Sequence, residues 1–305
     1  MRRVRASSPG KVILFGEHFV VYDKPALVSA IDLRAYVEAE PQAKDVVLDG
    51  WFGENPAIRA SKYVAEKLGY DGGIKLKIRS EIPESVGLGS SASVSVAAAA
   101  ATSILISGEL DLRLVMEAAH EGERLVHYRP SGIDTAVASL GGGGIYSRSG
   151  GFKKLGLNLD EILIVDTGKT RRTGDMVNRV KEFKTLNREA FEKILTEAEQ
   201  IIYEALDALK SSNLELIGKL MLRNQELLRV VGVSSREIED AIKLCLKAGA
   251  YGAKLTGAGG GGCVIAIADY EKMDRIRKEL EKVFSAMRTK LMVDGVKAEP
   301  LINTR

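Results

Sequence analysis

Cysteine is nearly absent: Cys245 and Cys263 are the only two in 305 residues, and neither sits in a CxxC or Cys/His spacing. A disulfide framework and a cysteine-built zinc site are thereby excluded, and a reducing compartment, the cytoplasm, is expected. Excess charge of one sign is missing too. Lysine and arginine number 44 against 41 aspartates and glutamates, a net charge of +3 with the signs interspersed, so no nucleic-acid partner is expected. The apolar stretch at residues 12–15 is too short for the core of a signal sequence. No window reads as a membrane-spanning helix, so no membrane partner is expected either. No GxxxxGK[ST] occurs, which excludes a Walker-type phosphate loop.

What remains is a globular composition, 45% apolar and 28% charged, long enough for one large domain or two ordinary ones. Glycine is the one informative surplus, at 31 residues, and it is clustered at Gly87 and Gly89, at residues 141–144, and at Gly257 with residues 259–262. Bare backbone is needed repeatedly.

Short β-rich runs at residues 11–15, 19–22, 26–31, 35–40 and 45–48 predict an antiparallel-rich sheet. Helical spacing follows at 56–68, an alternating strand at 74–78, an almost uncharged helix at 92–106, and a helix at 112–127 with Asp111 at its N-cap. A short helix opens after Ser131-Gly132. The composition changes near residues 144–151, which places a boundary between domains 1–147 and 148–305. Beyond it come a strand at 162–166, a basic loop, helices at 188–209, 214–230 and 235–248, strands at 251–255 and 263–268, a helix at 270–284 and a strand pair around 291–296. That order predicts a layered α+β domain.

The stretch Gly87-Leu88-Gly89-Ser90-Ser91-Ala92 joins a strand to an apolar helix, and free amides at a helix start attract phosphate. It fits GxGxxA, but the two helices that follow do not suit a dinucleotide fold, and a tight turn of no further purpose reads equally well from the loop alone. The run from Gly257 to Cys263 through Gly259 and Gly260 lies between two strands. So many glycines suit a loop pressed against another segment or a ligand. Lys11 opens an apolar strand after Pro9-Gly10, Glu17 and His18 follow Gly16, Asp134 follows Pro130-Ser131-Gly132, and Glu123 stands 11 residues before it. Each alone has an ordinary structural reading. Together they supply what phosphoryl transfer needs: backbone donors, a carboxylate and hydroxyl for a metal, and a group aligning the attacking alcohol.

Three segments in order, Ser8-Pro9-Gly10-Lys11 with Gly16-Glu17-His18, Pro83 with residues 87–92, and residues 254–263, resemble the motifs of the GHMP small-molecule kinases. They span nearly the whole chain. Within the family, the opening stretch and Gly122-Glu123-Arg124 with Pro130-Ser131-Gly132-Ile133-Asp134 are most similar to the mevalonate kinase branch, although Tyr128-Arg129 stands where that branch often has Gly-Asn.

The resemblance implies a two-domain α+β fold, with a mixed α/β N-terminal domain and a ferredoxin-like C-terminal one flanking an active-site cleft. It implies ATP and mevalonate as substrates and Mg²⁺ as cofactor. By it, residues 87–92 wrap the ATP phosphates and Ser91 with Glu123 holds Mg²⁺. Asp134 orients or deprotonates the alcohol with Lys11 beside it, while Glu17, His18, Arg171 and Thr173 line the substrate side, Arg171 taking the carboxylate. Gly257, Gly259 and Gly260 shape the floor. A kinase of another small hydroxylated molecule, a phosphorylated isoprenoid precursor or a sugar, and a non-catalytic ATP sensor stand as alternatives. No motif sets the oligomeric state, a homodimer being allowed.

Overall fold

The computed structural model describes residues 3–51, 53–126, 131–170 and 173–301. In chain order, strand β1 (Val4–Phe15) leads through a 3-10 turn (Phe19–Tyr22) to β2 (Ala26–Gln42), β3 (Val46–Leu48), α1 (Pro56–Lys67) and β4 (Gly73–Ser80). Helices α2 (Ser90–Ser107), α3 (Leu112–Val126) and α4 (Ile133–Leu140) precede strands β5 (Gly143–Ser147), β6 (Gly151–Leu155) and β7 (Glu161–Asp166). Then come α5 (Thr173–Leu186), α6 (Arg188–Lys210), α7 (Leu214–Val230), α8 (Arg236–Ala248), β8 (Gly252–Leu255), β9 (Cys263–Ile267), α9 (Tyr270–Leu280), β10 (Ser285–Lys290) and β11 (Lys297–Glu299).

Two sheets organise the molecule. The larger runs β11-β1-β2-β4-β3, with the β5–β6 hairpin added to the near end of β2; only the β3–β4 pair is parallel. The smaller is antiparallel, β10-β7-β9-β8, with α7 and α8 against β8 and α9 against β7 and β10. This is the mixed α+β arrangement expected. Sheet membership does not follow a cut at residue 147, however: β6 and β11 both come from beyond it and join the first sheet.

Helix α2 is the pivot of the first half. It packs against α1, α3, β1 and β2, and its residues from Val96 through Thr102 are all buried. By length and hydropathy it is long and apolar enough to cross a membrane, contrary to the sequence expectation that no window would be. Its uncharged surface is explained by burial among other elements on every side.

Four further differences have local causes. Residues 19–22 form a 3-10 turn, because His18 and Asp23 at its ends take positive φ (63° and 60°), which breaks the extended run. Helix α5 went unforeseen: only Met176 and Val180 are buried, too sparse a stripe to read from sequence. Helix α9 stops at Leu280, four residues early, and Phe284 bonds back to the Leu280 carbonyl. Residues 291–296 make only isolated bridges, to Ile31 and Gly141; the regular strands lie on either side, at β10 and β11.

Strand β1 carries a register shift at Pro9/Gly10, where proline brings no N–H to the ladder. A Cβ on Gly10 would lie 3.0 Å from the Leu88 carbonyl, and the Lys11 amide donates to that same carbonyl at 2.9 Å. The break thus lets the loop before α2 lie against the strand that carries Lys11.

Candidate active site

The loop before α2 ends in two left-handed glycines, Gly87 (φ 90°) and Gly89 (φ 76°), the latter serving as N-cap with no side-chain cap. The first-turn amides of α2, at Ser90, Ser91 and Ala92, therefore present bare donors at the positive end of the helix dipole, a natural anion cradle. Leu88 and Ala92 contribute only backbone, since both side chains are buried in the core.

Lys11 reaches the same place from β1. Its ammonium is almost fully buried, donates to the Gly87 carbonyl at 3.0 Å, and stands 3.2 Å from Asp134 Oδ1. Asp134 is in the first turn of α4, with Gly132 (φ 84°) allowing the chain to enter. The Lys11 contact is close in distance but not an aligned hydrogen bond, and Oδ1 has no hydrogen-bond donor among the described residues. Oδ1 is itself sealed from solvent while the side chain is partly exposed, so an alcohol can approach this carboxylate only from its other oxygen.

Behind the helix start, Ser91 Oγ donates to Glu123 Oε1 at 2.5 Å. Glu123 is buried on α3, and burial, with the Asp134 charge adding to it, pushes its carboxyl up to about 7 despite the Ser91 hydrogen bond and the Lys11 charge. A nearby divalent cation would offset that penalty. One hydroxyl and one carboxylate beside a phosphate cradle fit Mg²⁺, which commonly takes one or two carboxylates and otherwise water and phosphate oxygens. Among the described residues no group of three acidic, histidine or cysteine side chains could hold a metal by itself.

The third glycine segment lies against the first. A Cβ on Gly87 would meet the Thr256 carbonyl at 3.0 Å, one on Gly257 the Gly87 Cα at 3.1 Å, and one on Gly262 the Val86 carbonyl at 2.7 Å. The Cys263 amide donates to Val86, and that of Gly260 to Val233. The clustering in sequence is thus explained by close backbone contacts, Gly257 and Gly262 against residues 86–87, Gly259 against Val233 and Gly261 against Lys169. Of the three glycines expected to shape the floor, Gly257 meets Gly87, whereas Gly259 and Gly260 pack on Val233: a Cβ on Gly259 would fall 2.3 Å from the Val233 carbonyl, to which the Gly260 amide donates.

Not all expected residues join the Lys11–Asp134 group. Glu17 was expected to line the substrate side, but it has no exposed surface and pairs with the equally sealed Lys254. The pairing holds the turn after β1 to the end of β8, and burial raises the Glu17 carboxyl while lowering the Lys254 ammonium. His18 is also nearly buried, its Nε2 2.8 Å from the Ala258 carbonyl, and burial lowers its pKa. Thr173 is exposed at the start of α5. Arg171, like Tyr128 and Arg129, lies outside the described residues.

Three supports were not foreseen. Thr256 Oγ1 both accepts from the Ile13 amide and donates to its carbonyl, and on α7 Asn224 accepts from the Gly16 amide while Gln225 accepts from that of Leu255. The only sequence signal was a lysine inside a short apolar strand, Lys254 between buried Ala253 and Leu255.

Comparison with known proteins bears on the fold and the family. Residues 55–143 match the family model "GHMP kinases N terminal domain" and residues 205–286 match "GHMP kinases C terminal". The mevalonate kinases of Pyrococcus furiosus and Aeropyrum pernix are 36% and 34% identical to this chain, each alignment covering 98% of it and 99% of the relative. Among solved structures, L. major mevalonate kinase in complex with R-mevalonate superposes with a TM-score of 0.85 at 31% identity, covering 97% of both chains. Methanococcus jannaschii mevalonate kinase gives 0.83 at 30% identity, covering 96% of this chain and 99% of that one.

Proposed function

The chain belongs to the GHMP kinase family, and on that premise we propose that it is an ATP-dependent mevalonate kinase, an enzyme of isoprenoid synthesis. The reaction moves the γ-phosphoryl group of ATP to the 5-hydroxyl of mevalonate, giving 5-phosphomevalonate and ADP. One observation carries the reading: the bare helix start at Ser90, the Lys11 ammonium and the Asp134 carboxylate converge, in a chain similar over 98% of its length to a mevalonate kinase.

The amides at residues 90–92 hold the triphosphate by hydrogen bonding and dipole attraction. The Asp134 carboxylate, held against Lys11 through Oδ1, accepts the hydrogen bond of the 5-hydroxyl on its other oxygen and so points the alcohol oxygen at the γ-phosphorus. As the new P–O bond forms and the bond to ADP breaks, the hydroxyl proton passes to Asp134 or to water; a loose transition state requires little deprotonation beforehand. Lys11, fixed by Gly87, puts its positive charge beside the transferring group. Mg²⁺, held by Ser91 and Glu123 with the ATP oxygens, would neutralise charge on the phosphates. For the mevalonate carboxylate we assign Arg171, in the stretch following β7. In that stretch Lys169 is committed to Glu237, and its carbonyl accepts from Gly262 on the glycine floor. The reaction is cytoplasmic and uses freely diffusing substrates.

Coupled ADP release with mevalonate, phosphomevalonate, homoserine and galactose tests the reading. Turnover is expected to be fastest with mevalonate. Turnover of a sugar with none of mevalonate would overturn it.

A further inference from the structure

Helix α4 carries Asp134, yet it has eight residues and a glycine at each end, Gly132 and Gly141, with no side-chain cap at its start. So short a helix cannot fix its own position. Its terminal carbonyls show what does: Ala138 accepts from Ser8 Oγ at 2.9 Å and Ser139 from the Val296 amide at 3.1 Å. The Gly142 amide just beyond donates to the Val293 carbonyl at 2.8 Å, and Gly141 bridges to Asp294. The contact is between backbones, since a Cβ on Gly295 would fall 2.2 Å from the Ser139 carbonyl.

Residues 293–296 form neither helix nor strand, so something must hold them in turn. That group is Arg34 of β2, 8% exposed. Its guanidinium donates to the carbonyls of Asp294 at 2.9 Å and Gly295 at 2.7 Å, and to Ser7 Oγ and the Ser7 carbonyl at 2.8 and 3.1 Å. Ser7 Oγ in turn donates a hydrogen bond to Glu299 Oε1 at 2.6 Å, on β11. A planar fork with several donors can span two backbone segments in this way, whereas a lysine ammonium cannot.

We propose that Arg34 is a positioning residue for catalysis: by stapling residues 294–295 to β1 it braces the C-terminal end of α4 and so holds Asp134 against Lys11. The inference rests on the kinase reading above. It assigns Arg34 to the alcohol side through residues 294–295; because Arg34 also bonds Ser7 on β1, the strand that carries Lys11, Gly295→Ala is the variant that disturbs the α4 contact without touching β1.

The test compares the wild-type chain with Arg34→Met and Gly295→Ala, the second prising the same contact apart from the other side. Each variant is expected to lose about tenfold or more in kcat, with the Kd of a nonhydrolysable ATP analogue unchanged within about twofold. Amides of α4 should exchange about tenfold faster with solvent. Wild-type kcat with unaltered α4 exchange would overturn the proposal, as would parallel losses in kcat and nucleotide affinity. If Arg34→Met does not fold, Gly295→Ala decides by the same criteria. If the wild-type chain phosphorylates nothing, the kinase reading fails, and hydrogen exchange in α4 still decides whether Arg34 braces that helix.

Discussion

Lys11 Nζ lies 3.2 Å from Asp134 Oδ1 but gives its aligned hydrogen bond to the Gly87 carbonyl, so one ammonium ties the phosphate loop to the carboxylate without saturating it. The distance keeps two charges paired in a nearly buried place. Only Oδ1 faces Lys11, and the partly exposed remainder of the carboxylate is left for an alcohol.

Asp134→Asn should therefore retain nucleotide binding and lose turnover by about 10²- to 10⁴-fold, the usual weight of a positioned proton acceptor. Titration calorimetry with an ATP analogue beside steady-state kinetics checks both halves. Unchanged turnover would remove Asp134 from its role.

The buried Glu123 makes the nucleotide-free protein pH-sensitive. Its carboxyl is raised from 4.5 to about 7, so the folded protein keeps a proton that the unfolded chain has already released. The associated stability is fully present below the unfolded value and is lost as pH rises through about 7. Thermal melting from about pH 5 to about pH 8 should show wild type losing ground relative to Glu123→Gln. Binding of the Mg²⁺–nucleotide complex should strengthen over the same interval, and that trend should vanish in Glu123→Gln. Parallel melting curves for the two proteins would contradict the assignment.

Lys254→Met leaves the Glu17 carboxylate sealed without a partner and should cost about 3–5 kcal/mol in urea unfolding. Adding Glu17→Gln should restore much of that loss, because the unpaired charge is then gone. A double variant no more stable than the single one would show that the pair does not act as a unit.

Glycine substitutions separate contact from conformational strain. Gly262→Ala meets both a left-handed φ of 75° and the Val86 carbonyl 2.7 Å away, so it should destabilise by about 1–3 kcal/mol and weaken ATP-analogue binding by displacing the loop before α2. Gly69→Ala, at φ 62° with open space around it, should show the strain alone and bind nucleotide normally. Equal effects on binding would refute direct contact between the two glycine segments as the reason for their composition.

Much of the site was legible because its demands fall on the backbone. Two glycine clusters in sequence announced two loops that needed close approach, and Gly87 and Gly262 meet that need directly. Lys11, Glu123 and Asp134 could be singled out only when the three segments were read together, since each has an ordinary role alone. Glu17 was misread because its partner, Lys254, stands 237 positions away and nothing local reports that both will be sealed. Helix α5 escaped notice for want of an apolar stripe. Arg34 gave no signal at all, since its partners are mostly carbonyls, which carry no side-chain identity.

The most direct measurement is a crystal structure with a nonhydrolysable ATP analogue and mevalonate both bound. The account predicts the β- and γ-phosphates against the amides at residues 90–92 and the 5-hydroxyl within about 3.2 Å of Asp134, facing the γ-phosphorus. A triphosphate seated elsewhere, or an alcohol turned away from Asp134 with Lys11 contacting neither ligand, would contradict it.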